Sequence, residues 1–213
     1  MSMSRAHAHH DVTADNVAFT VEALSALPGD AELAKLAGRA AALLNDWENI
    51  ESEGQRLERA VIRASAHVRV ADVTLDAALS AFAHDLVEAV KGDTANPLYG
   101  RFFAEPHEDV IAMGLDSEVP EVTLIVHALD RGGDDIPTAL AAHLETLRAG
   151  LKLGNGALAS RSDALADLGR HMARVEAWHE SAEGSLHSLH GKLERIADAR
   201  DLPESWADAF FNA

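Results

Sequence analysis

Residues 140–196, LAAHLETLRAGLKLGNGALASRSDALADLGRHMARVEAWHESAEGSLHSLHGKLERI, decide the fold class. Read from Leu140 in alternating steps of four and three, they give Leu144, Leu147, Leu151, Gly154, Leu158, Arg161, Leu165, Leu168, Met172, Val175, His179, Ala182, Leu186, Leu189, Leu193 and Ile196. The phase holds for about eight heptads, and a 3-4 alternation keeps one stripe on the side of a helix that wraps a neighbour. A continuous helix over this span is roughly 85 Å long. Such a helix must lie against a partner along its length.

A second stripe upstream supplies that partner. It runs through Leu33, Leu36, Ala40, Leu43, Trp47, Ile50, Gly54, Leu57, Val61, Ala64, Val68, Ala71, Leu75, Ala78 and Phe82. Asp72 or Thr74 is able to cap a fresh helix, so a break near Ala71–Thr74 stays open, as does one at Gly154–Gly156. Gly54 and Gly154 are weak points that also allow bending or close approach. After Phe82 the stripe shifts to Leu86 and Val90. Lys91-Gly92-Asp93 then ends the helix and Asn96-Pro97 blocks its continuation.

Around the two long elements, about 30–91 and 136–199, the chain is less regular. Residues 1–12, with His7, His9 and His10, read as a disordered arm, and Thr13–Leu27 as a short helix. The connection 93–135 carries short helices, one opened by Pro106 and one from Ser117 to Leu129 with Pro120 in its first turn. A tail helix bearing Trp206, Phe210 and Phe211 docks back on the rest. The expectation is all-α: an elongated antiparallel hairpin or bundle of two long coiled-coil-like helices with short accessory helices, residues 13–213 forming one domain. Leu44 and Leu79, beside the first stripe, leave an apolar flank that points to a homodimer or another protein partner.

Composition narrows the function. Lys plus Arg is 18 against 35 for Asp plus Glu, a net charge of −17. A polyanionic surface disfavours nucleic acid and anionic membranes. There is no cysteine, which removes disulfides, thiol chemistry and cysteine-ligated metals. No apolar run approaches the roughly 20 residues of a membrane span, so a cytoplasmic protein is expected. Phosphate-cradling glycine motifs and the Gly-x-Ser-x-Gly elbow are absent.

Four groups of residues are left with possible chemistry or binding. Glu176 and His179 have the Glu-x-x-His spacing of di-iron carboxylate bundles. Glu183, His187 and His190 follow at i,i+4 and i,i+3 separations, and imidazole with carboxylate suits zinc, iron or manganese. No second Glu-x-x-His exists to complete a di-iron set, and His179 lies on the apolar stripe, so a polar helix face is the stronger reading and no cofactor is expected. His84-Asp85 and His107-Glu108-Asp109 offer acid–base groups without a visible geometry. Tyr99, Arg101, Phe102 and Phe103, with Trp206, form the candidate partner-binding set, against the alternative that the rings plug the end of the helical pair. The resulting expectation is a non-enzymatic helical scaffold or protein-interaction protein. A metal-binding bundle and a small-molecule-binding bundle are the alternatives.

Overall fold

The computed structural model describes residues 3–27 and 29–211, without the side chains of residues 3–11, 134 and 204. In chain order the helices are α1 (Met3–Ser25), α2 (Ala31–Ala89), α3 (Pro97–Gly100), α4 (His107–Ile111), α5 (Leu115–Arg131), α6 (Thr138–Ala141) and α7 (Leu144–Ala199), with 3-10 turns at Gly133–Asp135 and Glu204–Phe210. No strand occurs among the described residues. The two long helices pack against each other, as the stripes require.

The stripe of α2 is buried or half-buried at every position from Leu33 to Phe82. Its helix is unbroken at Ala71–Thr74, because Thr74 Oγ1 donates back to the Val70 carbonyl at 2.7 Å instead of capping a new helix. It starts where Asp30 accepts from the Glu32 and Leu33 amides at 3.0 and 3.3 Å, and ends at Lys91 and Gly92, both with positive φ. α7 is likewise unbroken through Gly154–Gly156.

The middle of α7 departs from the expected register. Leu165 and Met172 are 50% and 38% exposed. The residues one place earlier turn inward instead: Ala157, His171 and Trp178 are buried and Ala164 is half-buried. Small Ala157 and Ala164 let the backbone approach, and Trp178 gains more from burial than the residues it displaces. Its indole stacks on Trp47 at 4.5 Å and donates to the Leu43 carbonyl at 3.2 Å.

The chain divides into two compact units, one of residues 1–57 and 167–213, the other of residues 58–166. In the first, α1 and the 3-10 turn at Glu204–Phe210 cover the start of α2 and the end of α7. Leu24, Leu33, Leu36, Leu193 and Phe210 form one core there, and Val17, Ile50 and Trp178 another. The arm expected at residues 1–12 falls in part outside the described residues, as do the side chains of His7, His9 and His10. The backbone is helical from Met3, well before Thr13.

In the second unit, α5 packs on the end of α2 and the start of α7 around Leu75, Leu79, Phe82, Val122, Ile125 and Leu147. Leu79 is fully buried, so the expected flank at that position is covered, while Leu44 is half-buried. Pro120 lies inside α5 and not in its first turn, because the helix starts after Gly114. Its ring removes the amide that would bond the Asp116 carbonyl.

Gly54 is a close-approach site. A Cβ there would lie 2.7 Å from His171 Nε2, and the imidazole is 7% exposed. Gly54→Ala gains helix propensity of about 1 kcal/mol but must displace a buried ring. The expected net result is a loss of roughly 1–2 kcal/mol, read by urea denaturation. A stabilised variant would refute the close packing.

Candidate functional site

The second unit is built on a tight α2–α7 seam. Gly150 of α7 meets Leu75 of α2, where a Cβ would come within 2.8 Å of Leu75 Cδ1. One turn later Gly154 meets Leu115 and Val119 of α5, with a Cβ at 3.2 Å from each. Both glycines let helix backbones come close enough to bury the seam.

The two sides of that seam have different fates. On one side lie Asp72 and Asp76, which face α5. Two residues before Asp72, Val70 points roughly 160° away around the helix and lines an open groove with His67, Lys152, Leu153, Gly156 and Ala157. The groove encloses about 720 Å³. Val70 is 62% exposed and Leu153 46%, and a Cβ on Gly156 would meet nothing within 4 Å. The groove is therefore apolar at its centre and unfilled, and its ionisable lining groups, His67 and Lys152, are basic.

The covered side holds an electrostatic anomaly. Glu118 of α5 has no exposed surface, and neither of its oxygens receives a hydrogen bond from a nitrogen or hydroxyl among the described residues. It faces another carboxyl, Asp76, with Asp72 nearby. Burial, then the Asp76 and Asp72 charges, push the Glu118 carboxyl up to about 8. Asp76 is raised too, first by burial and then by Asp72, while its hydrogen bond with Glu118 pulls it down. The consistent arrangement at neutral pH is a protonated Glu118 donating to an ionised Asp76.

Tyr99, Phe102 and Phe103 are buried in the second unit, Phe102 edge-on to Phe82 at 5.1 Å and Phe103 at 6.1 Å from it. Tyr99 Oη lies 3.1 Å from His107 Nδ1 and accepts from the His107 amide. Arg101 is exposed. Trp206 is half-buried in the first unit, edge-on to Phe210 at 4.8 Å.

Of the five candidate metal ligands, His179 and Glu183 lie close together, while His179 and His190 each also bond a residue outside the set. His179 Nε2 is 2.9 Å from Thr13 Oγ1, and its Nδ1 is 3.7 Å from Glu183. His190 Nε2 bonds Asp208 at 2.8 Å, and Glu176 and His187 are exposed. Among the described residues the set whose donor atoms all lie within 4.8 Å is His84, Asp85 and Glu88. Asp85 is already engaged there by His143 Nε2 at 2.7 Å, the geometry that His84-Asp85 lacked in the sequence.

Comparison of the chain with protein-family models, curated proteins and solved structures finds no match. No helix among the described residues is long and apolar enough to cross a membrane.

Sequence reasoning missed both sides of the seam. Glu118 had a signal, since it stands three residues after Leu115 and four before Val122, on the apolar face of α5. Val70 lies outside the first stripe, and nothing local separates a second exposed face from scattered surface residues.

Proposed function

We propose that the chain is a non-enzymatic helical interaction protein whose second unit takes up an amphipathic partner helix flanked by carboxylates. The observation that carries this reading is the apolar groove at Val70 and Leu153. Two packed helices leave a trough that a third helix fills, just as α5 fills the trough on the other side. The groove follows α7 from Ala149 to Ser160, a length of roughly three helical turns. His67 and Lys152 at its edge, with exposed Arg63 one turn before His67, match acidic flanks on the guest.

The test uses two synthetic three- to four-turn helices with the same leucine stripe, one flanked by glutamates and one by lysines. Fluorescence anisotropy with the full chain is expected to give at least tenfold tighter binding for the glutamate-flanked helix. Val70→Asp with Leu153→Asp should abolish that binding while leaving the circular dichroism unchanged. Equal binding of both peptides, or binding that survives the double variant, sinks the reading. So does a concentration-dependent dimer that the double variant dissociates, since a second copy would then be the occupant.

A further inference from the structure

The first unit contains a cleft of opposite character, between the start of α2 and the end of α7. Lys35 and Arg39, one turn apart on α2, share it with Lys192, Arg195 and Arg200; Leu36 and Ile196 supply apolar wall, and Glu32 is the one carboxylate in the lining. It encloses about 380 Å³. Five cations thus converge in a chain whose net charge is −17.

Among the described residues, most of that positive charge has no carboxylate paired with it. Arg200 is neutralised by Asp30, and by Glu32 at 3.1 Å. Glu194, on the same turn of α7 as Arg195, lies 3.6 Å from His190 Nδ1. The side chains of Lys35, Arg39, Lys192 and Arg195 have no ion pair or hydrogen bond among the described residues. A chain with 35 acidic residues has ample means to pair four surface cations. Leaving them together in a concavity costs repulsion, which an anion relieves.

We propose that this cleft binds the diphosphate group of a small organic phosphate. Arg39 and Arg195 supply planar forks that grip phosphate oxygens two at a time, and Lys35 and Lys192 supply point charges. Leu36 and Ile196 receive the apolar part of the ligand. The negative charge elsewhere on the chain is screened beyond about 8 Å at physiological salt, so the local field of the cleft governs binding. The site is independent of the helix-docking groove and uses none of its residues.

Isothermal titration of the full chain with inorganic pyrophosphate at 0.15 M salt tests it. Saturable one-to-one binding is expected, with a rise in Tm as ligand is added. Arg39→Gln with Arg195→Gln should weaken binding at least 100-fold and remove the Tm rise. Arg39→Lys with Arg195→Lys, which keeps the charge and loses the forks, should weaken it about tenfold and guards against misfolding of the first pair. Lys152→Gln, in the other unit, should change nothing. Absence of saturable binding, or affinity undiminished by both double variants, overturns the proposal. It is equally overturned if a polyglutamate peptide, or vesicles containing phosphatidic acid, bind while pyrophosphate does not.

Discussion

Glu118→Gln stabilises the protein at pH 7 by about 3 kcal/mol, and the gain vanishes below pH 4.5. The carboxyl ordinarily loses its proton near 4.5 but in this fold holds it until about 8. Between those values the folded chain carries a proton that the unfolded chain has released. Stability from this group is therefore fully present below pH 4.5 and is lost as pH rises through 8. A glutamine at the same place has the shape of the protonated acid and donates to Asp76 without taking up a proton. Urea titrations of both proteins from pH 4 to 9 check this. A gain that is independent of pH, or none at pH 7, would show that Glu118 is not titrating in the window stated.

Phe82→Ala is the most damaging single change expected, at a loss of about 3–5 kcal/mol. Phe82 is fully buried and its ring meets Phe102, Phe103 and His143 at centroid distances of 5.1, 6.1 and 5.9 Å. Truncation leaves a ring-sized void in the middle of the second unit, walled by residues that cannot all collapse into it. The aromatic residues provide a local readout. Tyr99, the one tyrosine, lies in the second unit's core, whereas Trp47, Trp178 and Trp206 belong to the first unit. The tyrosine signal should move to lower denaturant by the full amount. A loss under 1 kcal/mol at Tyr99 would mean that the aromatic cluster is not the keystone of that core.

The gap between sequence and structure follows physical lines. The α2 stripe was legible to the residue because its positions face neighbours all along the helix, so periodicity and burial coincide. The α7 stripe was legible at both ends and not in the middle. There Ala164 and His171 turn inward in place of Leu165 and Met172, and that choice rests on the fit of Trp178 against Trp47, which no periodicity contains. Asp72 read as a cap because Asp is a capping residue type, yet a helix already hydrogen-bonded on both sides of it has no orphan amides for a cap to satisfy.

The same distinction governs the candidate sites. Lys35 with Arg39 and Lys192 with Arg195 are unremarkable doublets on one strand of sequence, and only the antiparallel pairing of α2 with α7 makes them one cleft. His84-Asp85 likewise became a geometry only through His143, which reaches it from the residue just before α7. What the sequence by itself determined is the all-helical class, the two long stripes and their pairing, because amphipathic period is a local property that any partner must respect. Which faces of the paired helices are covered, which are left open, and which charges are buried or brought together were decided by tertiary packing alone, because they depend on residues far apart in the chain occupying the same few ångströms.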